Sequence, residues 1–487
     1  MYEKKPWISH LGDIPETIPY PRMTMYQAVK RSADLYPDYI AYDFMGTKVT
    51  FKEFIADIDR CANAFATSGL RKGDRVTIAL PNTPHAVISF YALNKLGAIA
   101  SLIHPLSAPK EIEFYLNLSN SIWAITLDAF YGKFKEIIAS TGVTRILLAR
   151  ISDYLSPLKR IGFRLTAGRK IPRVPDDPMI IWWKSLLNMP SHEAEPADLN
   201  PDELAVILYS GGTTGTPKGV MLSSMNFNCL ALQTVAVGPH KPGESMVAVL
   251  PVFHGFGLGA CVHSVLVDGG ECILVPRFSA DTVASIFKSK RPRLIAGVPT
   301  LYEALISNHR FRTIDLSCLN VAVSGGDVLP TKVKKRFDEL VRANRGTVKL
   351  REGYGLAETI GGCVLTPRTE HREESIGIPF PDTMAKVVKL GTEEEAPPGE
   401  EGEICISGPT VMLGYLDNPE ETAKVLRKHA DGRGWCHTGD IGIMDKDGFM
   451  YFKHRLKRMI KVSGVSVYPT LIEACLNSHP DVSLSCV

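Results

Sequence analysis

Short apolar runs alternate with segments of helical periodicity through most of this chain, and this alternation limits its fold more than any other feature. The predicted strands are 203–208, 246–250, 271–275, 293–298 and 319–324. The predicted helices are 226–237, 280–290 and 330–344. Such alternation is typical of βαβ units, in which helices connect parallel strands. The sequence therefore predicts an α/β fold with largely parallel sheets.

The pattern changes after Thr366. Segments there are shorter and richer in glycine, as in Pro398–Ile404, and they favour antiparallel strands and hairpins. A chain of 487 residues is long enough for two or more domains. We therefore expect a β-rich subdomain to follow the α/β region.

Charge and cysteine usage exclude several classes of protein. The 55 basic and 52 acidic residues nearly balance, so no strong field predicts nucleic-acid binding. The ten cysteines show no C-x-x-C spacing, which argues against a disulfide framework or a zinc site and indicates a reducing cytoplasm. The N-terminus lacks the apolar run of a secretory signal, and no stretch has the length and apolarity of a membrane span. A cytoplasmic location is expected.

One segment, 157–173, is strongly basic. It carries six Lys and Arg residues and no Asp or Glu, and leucine, isoleucine and phenylalanine lie between them. Such a composition permits peripheral contact with anionic lipid. A solvated basic loop inserted between domains is the interpretation that we favour from sequence alone.

The most informative stretch is 209–220, directly after a predicted strand. Its glycines allow the backbone N–H groups to approach anionic oxygens, its four hydroxyls add donors, and Lys218 adds a positive charge. The Walker A pattern requires Gly-Lys-Ser/Thr, whereas here Pro217 precedes the lysine and Gly219 follows it. A flexible linker is the plain alternative, but linkers rarely combine this hydroxyl density with a lysine and flanking strands. The stretch predicts a polyphosphate-binding loop of a type other than Walker A.

With this loop, the sequence resembles the superfamily of adenylate-forming enzymes, which contains acyl-CoA synthetases, adenylation domains of peptide synthetases and luciferases. Residues 210–219 read Ser-Gly-Gly-Thr-Thr-Gly-Thr-Pro-Lys-Gly, the most specific signature of that superfamily. Further motifs follow in the family's order at Ser324–Asp327, Glu352–Thr359, Trp435–Asp440 and Arg455–Lys461. The resemblance covers nearly the whole chain.

The resemblance implies a set of residues that bind ATP or AMP. These residues are Ser210, Gly211, Gly212, Thr213, Thr214, Gly215, Thr216, Lys218, Gly325, Gly326, Asp327, Glu352, Gly353, Tyr354, Gly355, Ala357, Asp440, Arg455 and Lys461. It places Tyr354 along the adenine and Asp440 on the ribose hydroxyls, which a carboxylate can bind with its two oxygens. Taken singly, these glycines could equally be turn residues.

The catalytic residues implied are Lys218, Glu358, Thr214 and His254, and Glu358 and Thr214 are the implied ligands of Mg²⁺. An anionic oxygen ligand suits a hard cation that also bridges phosphates. Two positions depart from the family. Ala357 stands where a threonine or serine would contact the α-phosphate, and His454 stands where an aspartate commonly precedes the linker arginine. Thr359 is close to Ala357 in sequence but is expected to point elsewhere.

The implied fold is a large N-terminal AMP-binding domain of two βα-layered sheets plus a β-rich subdomain, followed by a truncated small C-terminal α+β domain. The boundaries expected are 1–454 for the large domain, 455–460 for a hinge linker that includes Lys457, and 461–487 for the start of the C-terminal lid domain. The family's adenylation lysine would lie beyond residue 487. Impaired adenylation by this chain is therefore expected.

The implied reaction activates a carboxylic acid with ATP to an acyl-adenylate and then forms a thioester with coenzyme A. No aspartate follows Phe253 to pair with an amino group, so a simple carboxylate is favoured. Substrate contacts are expected from Phe253, His254, Gly255 and Val298, within the apolar stretches 253–260 and 297–302. The overall pattern is most similar to fatty acyl-CoA synthetases, and aryl acids remain an alternative.

Two other classes of function were weighed. Residues 255–260 fit G-x-G-x-x-A, a fingerprint of NAD-dependent oxidoreductases, but Arg277 and Phe278 stand where an acidic residue should bind the ribose. A noncatalytic acyl- or nucleotide-binding derivative of a synthetase also remains open because of Ala357 and the expected truncation. No G-x-S-x-G or H-E-x-x-H motif indicates a serine hydrolase or a metalloprotease.

Overall fold

The computed structural model describes residues 5–193, 198–211, 217–238 and 240–456, the backbone of 460–462 and 465–467, and positions 472, 473, 476, 479, 482 and 485. The α-helices are α1 (Met25–Leu35), α2 (Phe51–Thr67), α3 (Pro84–Leu96), α4 (Pro109–Leu118), α5 (Tyr131–Ile137), α6 (Pro157–Leu165), α7 (Trp183–Asn188), α8 (Ser224–Val237), α9 (Ser264–Val267), α10 (Ala280–Lys290), α11 (Pro299–Ser307), α12 (Thr331–Ala343) and α13 (Pro419–Val425).

The β-strands are β1 (Ile40–Phe44), β2 (Thr47–Thr50), β3 (Arg75–Ala79), β4 (Ile99–Leu102), β5 (Trp123–Leu127), β6 (Arg145–Ala149), β7 (Ile180–Trp182), β8 (Leu204–Ser210), β9 (Lys218–Ser223), β10 (Ser245–Ala248), β11 (Glu271–Leu274), β12 (Leu294–Gly297), β13 (Val321–Ser324), β14 (Leu350–Tyr354), β15 (Val364–Leu365), β16 (Ile378–Pro379), β17 (Met384–Val388), β18 (Gly402–Ser407), β19 (Gly414–Tyr415), β20 (Leu426–Lys428), β21 (Gly434–Met444), β22 (Met450–Arg455), β23 (Ile460–Val462) and β24 (Val465–Val467).

Two large sheets form the α/β body. The first has the order β19-β9-β8-β4-β3-β5-β6-β7, and its strands from β8 to β7 run parallel while β9 and β19 join antiparallel at one edge. The second has the order β16-β15-β14-β13-β12-β10-β11-β1-β2 and is parallel from β14 to β1. The predicted pair of βα-layered sheets is confirmed.

A shared apolar core joins the two sheets through helix α3. Helix α3 begins where its sequence indicates, because Thr83 caps the first turn and Pro84 occupies the first helical position. Nearly every residue of the helix up to Leu96 is buried. A helix that is apolar on all sides has no face suited to solvent. The core cluster includes residues of α3 together with Ile78 of the first sheet and Ala248 of the second. Eight cysteines among the described residues are buried free thiols.

A third sheet follows the second one in the chain. Strands β17, β18, β21 and β20 pair antiparallel in that order, and β22 pairs with β21. This sheet is the β-rich subdomain predicted beyond Thr366. The short strands β23 and β24 form a separate antiparallel pair. The boundaries 455–460 and 461–487 stay predictions.

The strands and helices predicted from periodicity agree with the observed elements, and their ends differ by a few residues. The favoured interpretation of 157–173 as a loop is wrong, because α6 covers Pro157–Leu165 and a 3₁₀ helix covers Ala167–Lys170. Pro157 suits the first helical turn, and the next residues are good helix formers. Within the described residues, we find no helix with the length and apolarity needed to cross a membrane.

Candidate active site

The glycine–threonine loop connects the antiparallel strands β8 and β9. Ser210 and Lys218 lie opposite each other at the end of this hairpin. Gly211 is exposed, and a Cβ atom at this position would meet no atom within 4 Å. The remaining predicted loop residues lie outside the described part of the chain, namely Gly212, Thr213, Thr214, Gly215 and Thr216.

Tyr415 brings Lys218 and Glu358 into one cluster. Strand β19 pairs with β9, so that Tyr415 lies opposite Val220. The Lys218 ammonium lies 5.0 Å from the centroid of the Tyr415 ring. The Tyr415 hydroxyl donates a 2.7 Å hydrogen bond to Oε1 of Glu358, a residue that is 8% exposed. The two residues that sequence analysis assigned to phosphate and metal therefore contact the same side chain.

Glu421 is the ion-pair partner of Lys218. Asn418 caps α13 by accepting a hydrogen bond from the Glu421 N–H at 3.1 Å, and this cap orients the first turn of the helix. The Lys218 Nζ then donates to Glu421 Oε1 at 2.5 Å, and the two side chains are 14% and 17% exposed. The bond to Lys218 lowers the pKa of Glu421 below its usual value. Sequence analysis did not find Tyr415 or Glu421. The pairing of β19 with β9 places Tyr415 and helix α13 places Glu421, and no local motif marks either residue.

Asp440 anchors a second polar cluster. Its Oδ2 accepts a 2.8 Å hydrogen bond from the Tyr354 hydroxyl, and its Oδ1 accepts one from Arg455 Nε at 3.1 Å. Burial raises the pKa of the Asp440 carboxyl, Arg455 opposes the rise, and the charge of Glu358 adds to it. Asp440, Arg455 and Tyr354 are thus brought together as the sequence predicts.

A bulge in β21 presents Asp440. Between the pairs Glu403–Ile441 and Cys405–His437, one residue of β18 faces three of β21, and Gly439 in the bulge has a φ of 71°. Glu403 holds this bulge with both carboxylate oxygens. Oε1 accepts from the Gly439 N–H at 3.0 Å, and Oε2 lies 2.8 Å from His437 Nδ1. Glu403 is a further residue that sequence analysis missed.

The predicted adenine motifs meet at the carboxyl ends of β13 and β14. These strands pair in parallel, with Ser324 opposite Glu352, so Gly325 and Gly353 follow as neighbours. A Cβ atom on Gly325 would lie 3.2 Å from the Gly353 carbonyl oxygen. Gly326 lies near Val298, whose Cγ1 would be 3.5 Å from a Cβ atom at 326.

The two acidic residues of these motifs differ in environment. The Asp327 side chain accepts from the Val328 N–H at 2.8 Å and is exposed. Burial raises the pKa of Glu352 to about 7, although Lys334 opposes this shift. Glu352 is therefore the predicted site residue whose charge changes near neutral pH.

The segment after β14 turns tightly. A Cβ atom on Gly355 would lie 2.4 Å from the carbonyl carbon of Gly361, so only glycine fits at this position. Ala357 begins a short 3₁₀ helix that extends to Thr359. The Thr359 hydroxyl is buried and bonds the backbone of Leu356 at 3.2 Å, so it does not replace the hydroxyl that Ala357 lacks. The expectation that Thr359 points elsewhere is confirmed.

Phe253, His254 and Gly255, three of the four residues predicted to bind the substrate, lie between β10 and the π-helix Phe256–His263, whereas Val298 directly follows β12. His254 is exposed, and its Nδ1 accepts from the Phe256 N–H at 3.2 Å. The Phe253 ring packs edge-on against His104 at 4.6 Å. Gly255 packs against the backbone of Ile360, where a Cβ atom would approach to 2.7 Å. The glycines of G-x-G-x-x-A here serve close packing, which agrees with the rejection of a dinucleotide fingerprint.

An apolar cavity extends from the ends of β13 and β14 between the second sheet and α8. Gly325, Gly353 and Tyr354 line one part of it, and most of the other lining residues are apolar, such as Val237 and Leu294. None of the lining residues is Lys, Arg, Asp or Glu. The lining includes Phe256 and Ala260 but not Phe253, His254, Gly255 or Val298, so contact of these four with substrate stays a prediction.

The linker residues are described in part. Arg455 ends β22 opposite Asp440, and the preceding residue, His454, lies opposite Ile441. The departure from aspartate at 454 thus falls inside a paired strand. Lys457 and the side chain of Lys461 lie outside the described residues, and their predicted roles at the hinge and at the nucleotide stay predictions.

The chain is similar to known proteins over most of its length. A family model described as AMP-binding enzyme matches residues 29–416. The long-chain-fatty-acid–CoA ligase of Bacillus subtilis is 34% identical, over 98% of this chain and 85% of the relative. A feruloyl-CoA synthase of an Amycolatopsis species is 30% identical, over 94% and 84%. The crystal structure of ATP-bound MatB from Rhodopseudomonas palustris superposes with a TM-score of 0.80 at 25% identity, over 96% of this chain and 85% of that one.

Proposed function

The chain belongs to the AMP-binding enzyme family, whose adenylate-forming members include acyl-CoA ligases, and from this membership we propose that it activates a fatty acid with ATP and transfers the acyl group to coenzyme A. The observation that carries the proposal is the position of the apolar cavity. Gly325, Gly353 and Tyr354 line it and also belong to the motifs expected to hold adenine. An acid whose tail fills the cavity would have its carboxylate beside the nucleotide.

In the first step, a carboxylate oxygen attacks the α-phosphorus of ATP. The new bond joins the acyl oxygen to phosphorus, and the bond to pyrophosphate breaks. This step needs no nucleophile from the protein, so positioning and stabilisation of negative charge supply the catalysis. Lys218 would contact the phosphates from the edge of β9, and Asp440 would accept hydrogen bonds from the ribose hydroxyls.

Glu358 suits a magnesium ion that accompanies the phosphates. Its carboxylate is mostly buried, and a buried carboxylate needs a positive or hydrogen-bonding partner. The hydrogen bond from Tyr415 reaches Oε1, and it fixes the orientation of the group. Thr214 would be the second protein ligand. The ion would supply positive charge that neutralises the phosphate oxygens.

In the second step, the sulfur of coenzyme A attacks the acyl carbonyl carbon. The carbon–sulfur bond forms, the bond between carbon and the phosphate oxygen breaks, and AMP leaves. The thiol proton passes to solvent or to a base. We expect Lys457 to serve as the hinge for a domain rotation between the two steps.

The cavity favours an apolar acyl chain over a second charged group. A buried carboxylate without a cationic partner is costly, and no Lys or Arg lines the cavity. Aryl acids are the second candidate class, because a feruloyl-CoA synthase is among the relatives.

Calorimetric titration with stable acyl-sulfamoyl-adenosine analogues tests the proposal without requiring catalysis. We expect palmitoyl and octanoyl analogues to bind more tightly than the acetyl analogue, which in turn should bind about as well as AMP. Tightest binding of a benzoyl or feruloyl analogue would instead favour an aryl acid.

NAD serves as the competing ligand in the same titration. Binding of NAD in preference to AMP would refute the assignment. A mass-spectrometric search for acyl-CoA made by the full-length protein distinguishes a ligase from a noncatalytic binding protein. Tight binding of an acyl-adenylate analogue with no acyl-CoA product in that protein would support the noncatalytic alternative.

A further inference from the structure

Helix α6 is fixed to the protein along one side. The Lys159 ammonium donates to the Met45 carbonyl in the turn between β1 and β2. The Arg160 guanidinium donates to the carbonyls of Ser152 and Leu155 at 3.2 and 3.3 Å. Phe163 packs against the main apolar core. These contacts hold the helix in one orientation on the protein surface.

The opposite side of α6 presents large apolar residues to solvent. Leu158, Ile161 and Leu165 are 81%, 57% and 57% exposed. Their spacing of three and four residues places them on one face of a helix. Met45, which is 43% exposed, belongs to the turn that Lys159 contacts. Clustered exposed residues of this size mark an interaction surface.

Positive charge surrounds this apolar face. Arg164, Arg169, Lys170 and Arg173 are exposed, and no ion pair is found for them among the described residues. The segment 154–175 contains no Asp or Glu. The segment itself therefore carries charge of one sign only.

We propose that α6 docks on the surface of a bilayer that contains anionic phospholipids, with Leu158, Ile161 and Leu165 inserted between head groups and the surrounding cations on lipid phosphates. A helix with an apolar face, a basic border and no acidic residue matches the boundary between acyl chains and charged head groups. The inference goes beyond the proposed reaction, because it requires neither ATP nor an acyl substrate. It also gives the protein access to a phase in which apolar acids dissolve.

A bilayer fits these features better than a protein partner does. A folded partner would need an apolar groove bordered by acidic residues on every side, whereas an anionic bilayer offers both features at any orientation. Each Lys or Arg near an anionic membrane strengthens binding by about fivefold. Four exposed cations together with three inserted apolar side chains therefore suffice for reversible docking.

Flotation of the whole chain with vesicles measures this docking. We expect binding to an equimolar mixture of phosphatidylcholine and phosphatidylglycerol, at least tenfold weaker binding to phosphatidylcholine alone, and loss of binding as salt is raised. The double variant Leu158→Ser/Leu165→Ser should bind the mixed vesicles at least tenfold more weakly. The double variant Arg164→Gln/Lys170→Gln should bind on the order of 30-fold more weakly.

Matched control variants distinguish vesicle binding by α6 from a general effect of exposed apolar residues or of net charge. Leu35 and Leu390 are 62% and 56% exposed elsewhere on the protein, so Leu35→Ser/Leu390→Ser should leave vesicle binding unchanged. Arg312→Gln/Lys332→Gln removes the same charge at exposed positions outside the helix and should have an effect below twofold. AMP binding and the unfolding temperature establish that each variant is folded.

Three outcomes would overturn the proposal. The first is equal binding of the wild type to neutral and mixed vesicles. The second is an equal loss of vesicle binding in the helix variants and in the control variants. The third is a wild-type protein that does not bind vesicles but self-associates, with self-association abolished in Leu158→Ser/Leu165→Ser. Failure of the acyl-adenylate titration with intact vesicle binding would refute the proposed function alone. The reverse result would refute the docking alone.

Discussion

The ion pair between Lys218 and Glu421 competes with the phosphates proposed to bind Lys218. The lysine ammonium cannot keep its 2.5 Å contact with Glu421 and also turn fully toward a triphosphate. Replacing Glu421 with alanine removes the competitor and leaves the lysine free. We therefore expect Glu421→Ala to raise the affinity for ATP.

The size of this effect follows from the burial of the pair. Exposed ion pairs contribute about 0.2–1 kcal/mol, whereas removing one partner of a fully buried pair costs about 3–5 kcal/mol. Side chains that are 14% and 17% exposed lie between these cases. We therefore assign about 1–2 kcal/mol to the Lys218–Glu421 ion pair. Removing this competing interaction corresponds to a gain of about five- to thirtyfold in ATP affinity.

Isothermal titration with ATP and with AMP measures the effect. AMP lacks the β- and γ-phosphates, so its affinity should change by less than twofold. Glu420→Ala is the control, because Glu420 is exposed, precedes Glu421 in the same helix and carries the same charge. A change of net charge alone would affect both variants equally, whereas loss of the ion pair affects only Glu421→Ala.

Weaker ATP binding by Glu421→Ala would refute this reasoning, since it would mean that Glu421 holds Lys218 in its binding position. Equal ATP affinity of the two variants would mean that Lys218 does not contact the phosphates. A parallel gain for AMP would place the lysine at the α-phosphate instead.

Three further predictions concern other parts of the site. Glu403→Gln leaves one hydrogen-bond donor of the β21 bulge without a carboxylate oxygen, so we expect the preference for ATP over 2′,3′-dideoxy-ATP, measured by calorimetry, to fall about fivefold. Adding Asp440→Asn to this variant should cause no further loss of that preference. An unchanged preference in Glu403→Gln would exclude a role of Glu403 in positioning Asp440. Gly355→Ala should lower the free energy of unfolding in urea by about 1–3 kcal/mol because its Cβ would overlap backbone, whereas Gly211→Ala should not. The pKa of Glu352 is raised from 4.5 to about 7, so the folded state holds this proton more tightly than the unfolded state and stability falls as pH rises between these values. Glu352→Gln should therefore gain stability relative to wild type across that window and show a constant difference above it; a constant difference at all pH values would contradict the shift.

The α/β class was predictable because periodicity is a local property. Strands such as β11 and β13 are short apolar runs, and α10 follows the helical period, so each can be recognised within its own dozen residues. The β-rich sheet beyond Thr366 was predictable for the same reason. Segment 157–173 was misjudged because its charges suggested a loop, although Pro157 and the residues after it form α6.

The predicted site residues that the structure brings together belong to contiguous motifs, and their roles stay predictions. The stretch that contains Lys218 and the one that contains Glu358 each have a recognisable local chemistry, and the structure joins them through Tyr415. The apolar cavity could not be predicted as a set of residues, because its lining comes from α8, from the π-helix and from several strands of the second sheet. Of the stretches 253–260 and 297–302, Phe256 and Ala260 line it, whereas Phe253 and Val298 do not, and their contact with substrate stays a prediction.

By itself, the sequence determined the family and the layered α/β architecture, because backbone propensity and contiguous motifs act over short distances along the chain. Only the tertiary structure decided which side chains meet across strands. Tyr415 reaches Glu358, and Glu421 reaches Lys218, through the pairing of β19 with β9 and the cap of α13. The same holds for the outward face of α6, since exposure is a property of what packs against a helix and not of the helix alone.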